Sequence, residues 1–276
     1  ASIVGKISSV TATATQIVTV TDDILPTIEA PSTVSVSTND GCTATEVSLG
    51  SATTSDNCSV ASIVNDAPTA YNLGETTVTW TVTDASGNTA TATQIVTVTD
   101  DTLPTIEAPS TVSVSTNDGC TATEVSLGSA TTSDNCSVAS IVNDAPTAYN
   151  LGETTVTWTV TDASGNTATA TQTVTVTDDT LPTITAPSTV SVSTNDGCTA
   201  TGVTLGDSTT ADNCSVASTT NDAPTAYEIG ETIVTWTVTD ASGNTATATQ
   251  TVTVTDDTLP TIEAPADINS CDNENI

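Results

Sequence analysis

Six of the seven cysteines form two series with one 78-residue spacing: Cys42, Cys120 and Cys198, and Cys58, Cys136 and Cys214. The chain has no histidine to complete a Cys/His zinc site. The regular placement therefore points to disulfides and to an oxidising compartment outside the cytoplasm. The carboxylates are the second set able to do chemistry. There are 33 acidic side chains against one basic residue, Lys6, for a formal net charge of −32. Hard oxygen ligands without competing cations suit Ca2+. Ser-His and Cys-His nucleophile systems need a base that this composition lacks, and a Lys–Asn isopeptide staple cannot form in repeats without lysine. The carboxylates are scattered over turns rather than paired, so the chain reads as not an enzyme. Phosphate contacts need Lys and Arg, which excludes nucleic acid as a partner, and an anionic membrane surface is excluded on the same ground.

These residues need a scaffold that repeats as they do. Trp80, Trp158 and Trp236 share the 78-residue spacing. The run Thr-Val-Thr-Trp-Thr-Val-Thr-Asp-Ala-Ser-Gly-Asn at 77–88 returns at 155–166, and at 233–244 with Ile233 in place of its first Thr. β-Branched Thr and Val dominate, and no window shows helical periodicity, so the chain reads as all-β. Period-2 alternation places Val78, Trp80 and Val82 on one face of a strand, and Ala90, Ala92, Val96 and Val98 inward on the next. Between them, Asp84 to Asn88 is a hairpin turn in which Gly87 supplies a positive φ. Further strands are predicted around Ile28, Val34 and Val36, Val47 and Leu49, and Val60 to Val64. About seven short strands per 78-residue repeat predict immunoglobulin-like β-sandwich modules in tandem, arranged as an elongated rod. Pro-containing junctions set the modules at 23–100, 101–178 and 179–256. Residues 1–22 read as the C-terminal strands of an incomplete preceding module and 257–276 as the start of another, so the chain is expected to be a window on a longer array.

The repeat resembles the hyalin repeat (HYR) family. The resemblance rests on Leu-Pro-Thr-Ile-x-Ala-Pro, Asp-Gly-Cys, Ser-Asp-Asn-Cys and the Gly-Glu-Thr-Thr-Val-Thr-Trp-Thr-Val-Thr-Asp-Ala-Ser-Gly-Asn run. The Thr-Ala-Thr-Ala texture is similar to that of giant surface adhesins of flavobacteria. The resemblance implies an immunoglobulin-like fold, export to the cell surface and a structural or adhesive role. It also favours disulfides within each module: Cys42–Cys58, Cys120–Cys136 and Cys198–Cys214. A second cysteine pair of many family members is replaced here by Ala or Thr. A straight strand over 43–50 would hold its ends ~25 Å apart, and the chain would have to double back before Cys58. The alternative, Cys42–Cys136, joins one module to the next. On the intramodular pairing Cys271 has no partner.

In an immunoglobulin-like module, the end of the preceding module's last strand meets the second–third and sixth–seventh strand loops. Asp100 and Asp101 are thus expected near Asp134, Asn135, Asp162 and Asn166. The equivalent sets are Asp22, Asp23, Asp56, Asn57, Asp84 and Asn88, and Asp178, Asp179, Asp212, Asn213, Asp240 and Asn244. Structural Ca2+ at module junctions follows from this convergence, an arrangement similar to that of cadherins. Asp and Asn are also ordinary turn residues, and both readings stay open. Asp-Thr-Leu at 101–103, 179–181 and 257–259, with Asp207-Ser208-Thr209, resembles an O-glycosylation signal of Bacteroidetes proteins and marks Thr102, Thr180, Thr258 and Ser208. The expected function is an extracellular stalk or filament in an adhesin-type cell-surface protein. Its partners are neighbouring modules and other copies in a filament. The rival reading is repeats that bind a glycan or surface polymer by avidity.

Overall fold

Alternation of Val and Trp with Thr produces the two longest strands of each repeat, and these organise the rest. The structure is a computed structural model that describes residues 14–266. Among these residues there is no helix, and eight strands recur three times at 78-residue intervals. In the first module they are β1 (Thr27–Glu29), β2 (Val34–Ser37), β3 (Thr43–Thr45), β4 (Thr53–Ser55), β5 (Val60–Asn65), β6 (Ala70–Asn72), β7 (Gly74–Asp84) and β8 (Thr89–Thr99).

One four-stranded sheet has the order β2-β8-β7-β5, with β2 parallel to β8 and the other pairs antiparallel. The ribbons β1–β4 and β3–β6 cover its inner face. Val78 and Trp80 of β7, Val96 and Val98 of β8, Ala44 of β3 and Tyr71 of β6 form the core between them. Each fully buried Val contributes about 1.5–3 kcal/mol. Ala92 stands opposite Trp80 on the ladder. The indole N–H of Trp80 donates to Gln94 Oε1 at 3.1 Å, and Gln94 Nε2 donates to the carbonyls of Ser32 (2.7 Å) and Leu49 (2.9 Å). This buried amide therefore ties the sheet to two connections of the facing layer. The hairpin turn forms as expected, with Gly87 at φ 96° and Asp84 Oδ1 accepting from the N–H groups of Ser86 and Asn88.

Two local expectations change. The strand predicted around Val47 and Leu49 does not form, because Glu46 (φ 56°) and Gly50 (φ 81°) enter the left-handed region and turn the chain between β3 and β4. Val47 and Leu49 still pack on the core. The short strand β6 carries no sequence signal, since so few residues cannot display a period. Residues 14–22, expected as strand, form none, and no described strand pairs with them.

Among the described residues the chain divides into two compact units. One comprises the residues up to Glu107 with Thr131–Val142 and Thr159–Thr169. The other comprises Ala108–Ala130, Asn143–Trp158 and the residues from Ala170 onward. The division cuts through the second module rather than between modules. Each junction therefore lies wholly inside one unit.

Candidate functional site at the module junctions

Within the first unit, three pieces of chain converge where the first module meets the second. Asp100 follows the last residue of β8. The loop Asp134-Asn135-Cys136 is the second module's counterpart of the β4–β5 connection, and Asp162 to Asn166 is its counterpart of the β7–β8 hairpin. Oxygen atoms of Asp100, Asp134 and Asp162 lie within 4.8 Å of one another.

The hydrogen bonds leave a specific remainder. Asp100 is 5% exposed. Its Oδ1 accepts from the Asn135 amide (3.1 Å), the Thr102 N–H (3.1 Å) and the Thr38 hydroxyl (3.3 Å), while Oδ2 is buried without a partner. Asp134 Oδ2 accepts from the N–H groups of Cys136 and Ser137, both at 3.0 Å, and its buried Oδ1 has none. Asn135 donates to Asp100, Thr38 Oγ1 and the Gly41 carbonyl, and its own buried Oδ1 is also unpaired. Buried polar atoms without protein partners are rare, and an ordered water or an ion is among the groups that satisfy them. Asp162 differs, since both of its oxygens are satisfied by Ser164 and Asn166. Burial pushes its pKa up, but the Asn166 amide and the backbone N–H groups of Asn166, Gly165 and Ser164 outweigh this and hold it below the ordinary carboxylate range. Asp84 and Asp240 are held low in the same way. In the equivalent cluster at the start of the first module, the Asn57 amide and the Ile24 N–H hold Asp22 low.

The other expected ligands separate into two groups. Asp22, Asp56 and Asp84 form one further cluster and Asp178, Asp212 and Asp240 another. Asp101 and Asp179 instead bond the hydroxyls of Ser37 and Ser115, and with Asp23 they stand outside the clusters. Asn88, Asn166 and Asn244 serve as donors. Each clamps the chain that enters its module through the backbone carbonyls of Asp22, Asp100 and Asp178 at 2.9 Å. Asn57 and Asn213 repeat the contact of Asn135, reaching Asp22 and Asp178 Oδ1 at 3.2 Å each. Thr38, Gly41 and their counterparts Thr116 and Gly119 complete the surrounding contacts; the Asp-Gly-Cys motif contains the glycines, but nothing in the sequence placed these residues at the junction.

The cysteines correct an expectation. Cys42 is bonded to Cys136 and Cys120 to Cys214, with Cα atoms 4.7 Å apart in both bridges. The intramodular pairs Cys42–Cys58, Cys120–Cys136 and Cys198–Cys214 are not formed. Cys58 lies beside Asp22 and the hairpin that begins β8, whereas Gly41 and Cys42 lie beside Asp100 at the other end of β8. An eleven-residue strand is about 36 Å long, and a bridge needs Cα atoms within about 7 Å. Cys58 and Cys198 are exposed free thiols, and Cys271 lies outside the described residues. In the chain-entropy model a loop of 94 residues is worth about 4–5 kcal/mol.

The HYR domain family matches residues 21–98, 99–176 and 177–254. The chain belongs to the HYR domain family. Its HYR boundaries fall slightly before those drawn from the Pro-containing junctions. No curated protein matches the chain in sequence. Among solved structures, the HYR array is similar to Protocadherin Gamma B2 extracellular cadherin domains 3-6, at 13% identity over 83% of this chain and 73% of that one, TM-score 0.33. It is similar to the Protocadherin GammaB4 extracellular domain at 18% identity over 84% of this chain and TM-score 0.33, and spans about half, 49%, of that chain. It is also similar to mouse Cadherin-23 EC22-24, at 15% identity over 85% of this chain and all of that one, TM-score 0.36. Among the described residues no helix is long and apolar enough to cross a membrane.

Proposed function

We propose that these HYR modules are the repeated stalk or filament of an extracellular, adhesin-type cell-surface protein, with structural Ca2+ at each junction. The observation that carries the reading is that every described junction repeats one set of contacts and that successive modules are joined by a disulfide. A unit built to be joined to its own copy is suited to length, and the bridges require an oxidising compartment. The Trp residues, which would be natural platforms for a sugar, are buried in the sandwiches instead. That weighs against glycan binding by the repeats.

The donor set favours the metal. Asp100 Oδ2, Asp134 Oδ1 and Asn135 Oδ1 are unpaired hard oxygens beside the Asp162 carboxylate, with no cationic side chain among the described residues to neutralise them. Ca2+ takes about six to eight such oxygens, water included, and bound there it would offset the mutual repulsion of the three carboxylates. We extend the proposal to O-linked sugar on Thr102, Thr180 and Thr258, which are exposed, and on the half-buried Ser208.

The experiment is deletion of single modules from the intact protein on its native cell, with adhesion and the reach of the surface appendage measured together. Reach should shorten by a constant step per module while adhesion to an accessible target persists. Saturable binding of a glycan by the purified repeats would overturn the structural reading.

A further inference from the structure

The two disulfides overlap in sequence. Each has a sequence separation of 94, longer than the 78-residue repeat. The second bridge therefore opens at Cys120 before the first closes at Cys136. We propose that this overlap makes the array a covalent load-bearing ladder, in which tension runs through the bridges and the short Cys120–Cys136 segment and bypasses the long hairpin strands of each sandwich. The proposal rests on the stalk reading for its biological use. The force measurement below does not depend on that reading, and so the two can fail separately.

The argument is the shortest covalent path. A chain pulled at its ends transmits load from Cys42 directly to Cys136, back along the short segment to Cys120, and across to Cys214. An extended chain spans at most about 3.5 Å per residue, so the ~16 residues of that segment reach about 56 Å. Without bridges the ~172 residues from Cys42 to Cys214 reach about 600 Å. Intramodular pairs would have the opposite effect: each would remove its own short loop from the path and leave the greater part of every repeat under load. The observed pairing keeps the short segment in the path and shields the long one.

What lies in each portion fits the division of labour. The segment from Cys120 to Cys136 holds the short strands Thr121–Thr123 and Thr131–Ser133, joined through left-handed Glu124 and Gly128, and buries one core side chain, Ala122. The long stretch from Cys136 to Cys198 holds the hairpin strands Gly152–Asp162 and Thr167–Thr177 with their buried Val, Trp158 and Gln172. Cys58 and Cys198 occupy the same positions in the repeat as Cys136 and Cys120. A further module of this sequence on either side would offer each of them the matching partner and extend the ladder.

The test is single-molecule force-clamp on the whole chain held by tags at its two ends, with Cys58→Ser, Cys198→Ser and Cys271→Ser to prevent exchange. Before reductant, the Cys42–Cys214 interval should not lengthen beyond its short covalent path. With a phosphine reductant, cleavage of the first bridge should lengthen the path by about 220 Å (~62 residues) and of the second by about 330 Å (~94 residues). Cys42→Ser should remove one step and leave the chain bridged only at Cys120–Cys214. Extension by about 220 Å per module before any reduction, followed by smaller steps of about 56 Å, would overturn the proposal, as would full extension without reductant.

Discussion

The Asn135 amide donates to Asp100 Oδ1 at 3.1 Å across the first junction, and both Asn135 Oδ1 and Asp100 Oδ2 are left buried without a donor. A side chain from the second module thus holds the last carboxylate of the first in place and leaves open the oxygens a cation would need. Asp134→Asn keeps an oxygen for the N–H groups of Cys136 and Ser137 and removes one charge. Calcium titration by calorimetry should show at least tenfold weaker binding at this junction, about 1.4 kcal/mol, with the Asp178 cluster unchanged. Absence of calcium binding by the unaltered chain would remove the metal from the account.

Gln172 is buried and hydrogen-bonded through both its oxygen and its nitrogen in the second module. It accepts from Trp158 Nε1 at 3.1 Å and donates to the carbonyls of Ser110 (2.8 Å) and Leu127 (2.9 Å). Gln172→Leu is close in size but strands one indole N–H and two carbonyls. Each unsatisfied buried group costs about 1–3 kcal/mol, so a loss of roughly 3 kcal/mol or more is expected. Denaturant unfolding of the disulfide-intact chain measures it, and a change below about 1 kcal/mol would contradict the role.

Glu46 and Glu124 sit at φ 56° and 57°, where the third module has Gly202 at φ 66°. A left-handed conformation costs a side-chain-bearing residue about 1–2 kcal/mol, partly offset by the greater unfolded-state freedom of glycine. Glu124→Gly should therefore stabilise its module by about 0.5–1 kcal/mol and Gly202→Glu should destabilise its own by a similar amount. Opposite signs at the two sites, read in chemical melts, are the expected outcome; equal signs would contradict it.

Asp84, Asp162 and Asp240 have folded-state pKa values depressed below the ordinary carboxylate value: burial pushes them up, and the Asn88, Asn166 and Asn244 donors outweigh it. A depressed folded value means that the unfolded chain binds more protons, so stability is full above the ordinary carboxylate range and falls as pH drops through the folded value. Thermal melts with chelator present should hold level near neutrality and decline in acid. Asn166→Ala removes the leading hydrogen-bond donor to Asp162 and should flatten the acid decline for the second module. An unchanged acid profile in that variant would count against the assignment.

The amino-acid sequence by itself determined the parts that depend on near neighbours. Val78, Trp80 and Val82 alternate with Thr, and only a half-buried strand satisfies that period; Asp84 to Asn88 could only turn. The 78-residue repeat then carried these elements through three modules, and the immunoglobulin-like arrangement expected of them put Asp100, Asp134 and Asp162 at one junction. Tertiary structure decided the rest. Alternation along β8 buries Asp100 and sends Asp101 outward to Ser37, and this selects one of two adjacent identical residues. Gln94 finds its partners at sequence separations of 62 and 45, in carbonyls that no motif marks. The disulfides show the difference most directly. Cys58 is much the nearer to Cys42 in sequence, yet Cys42 bonds Cys136 at a separation of 94. Sequence separation measures the covalent path, whereas bonding depends on which end of a sandwich a residue occupies. Cys42 and Cys58 lie at opposite ends of their sandwich, and only packing one module's end against the next brings Cys42 within reach of Cys136.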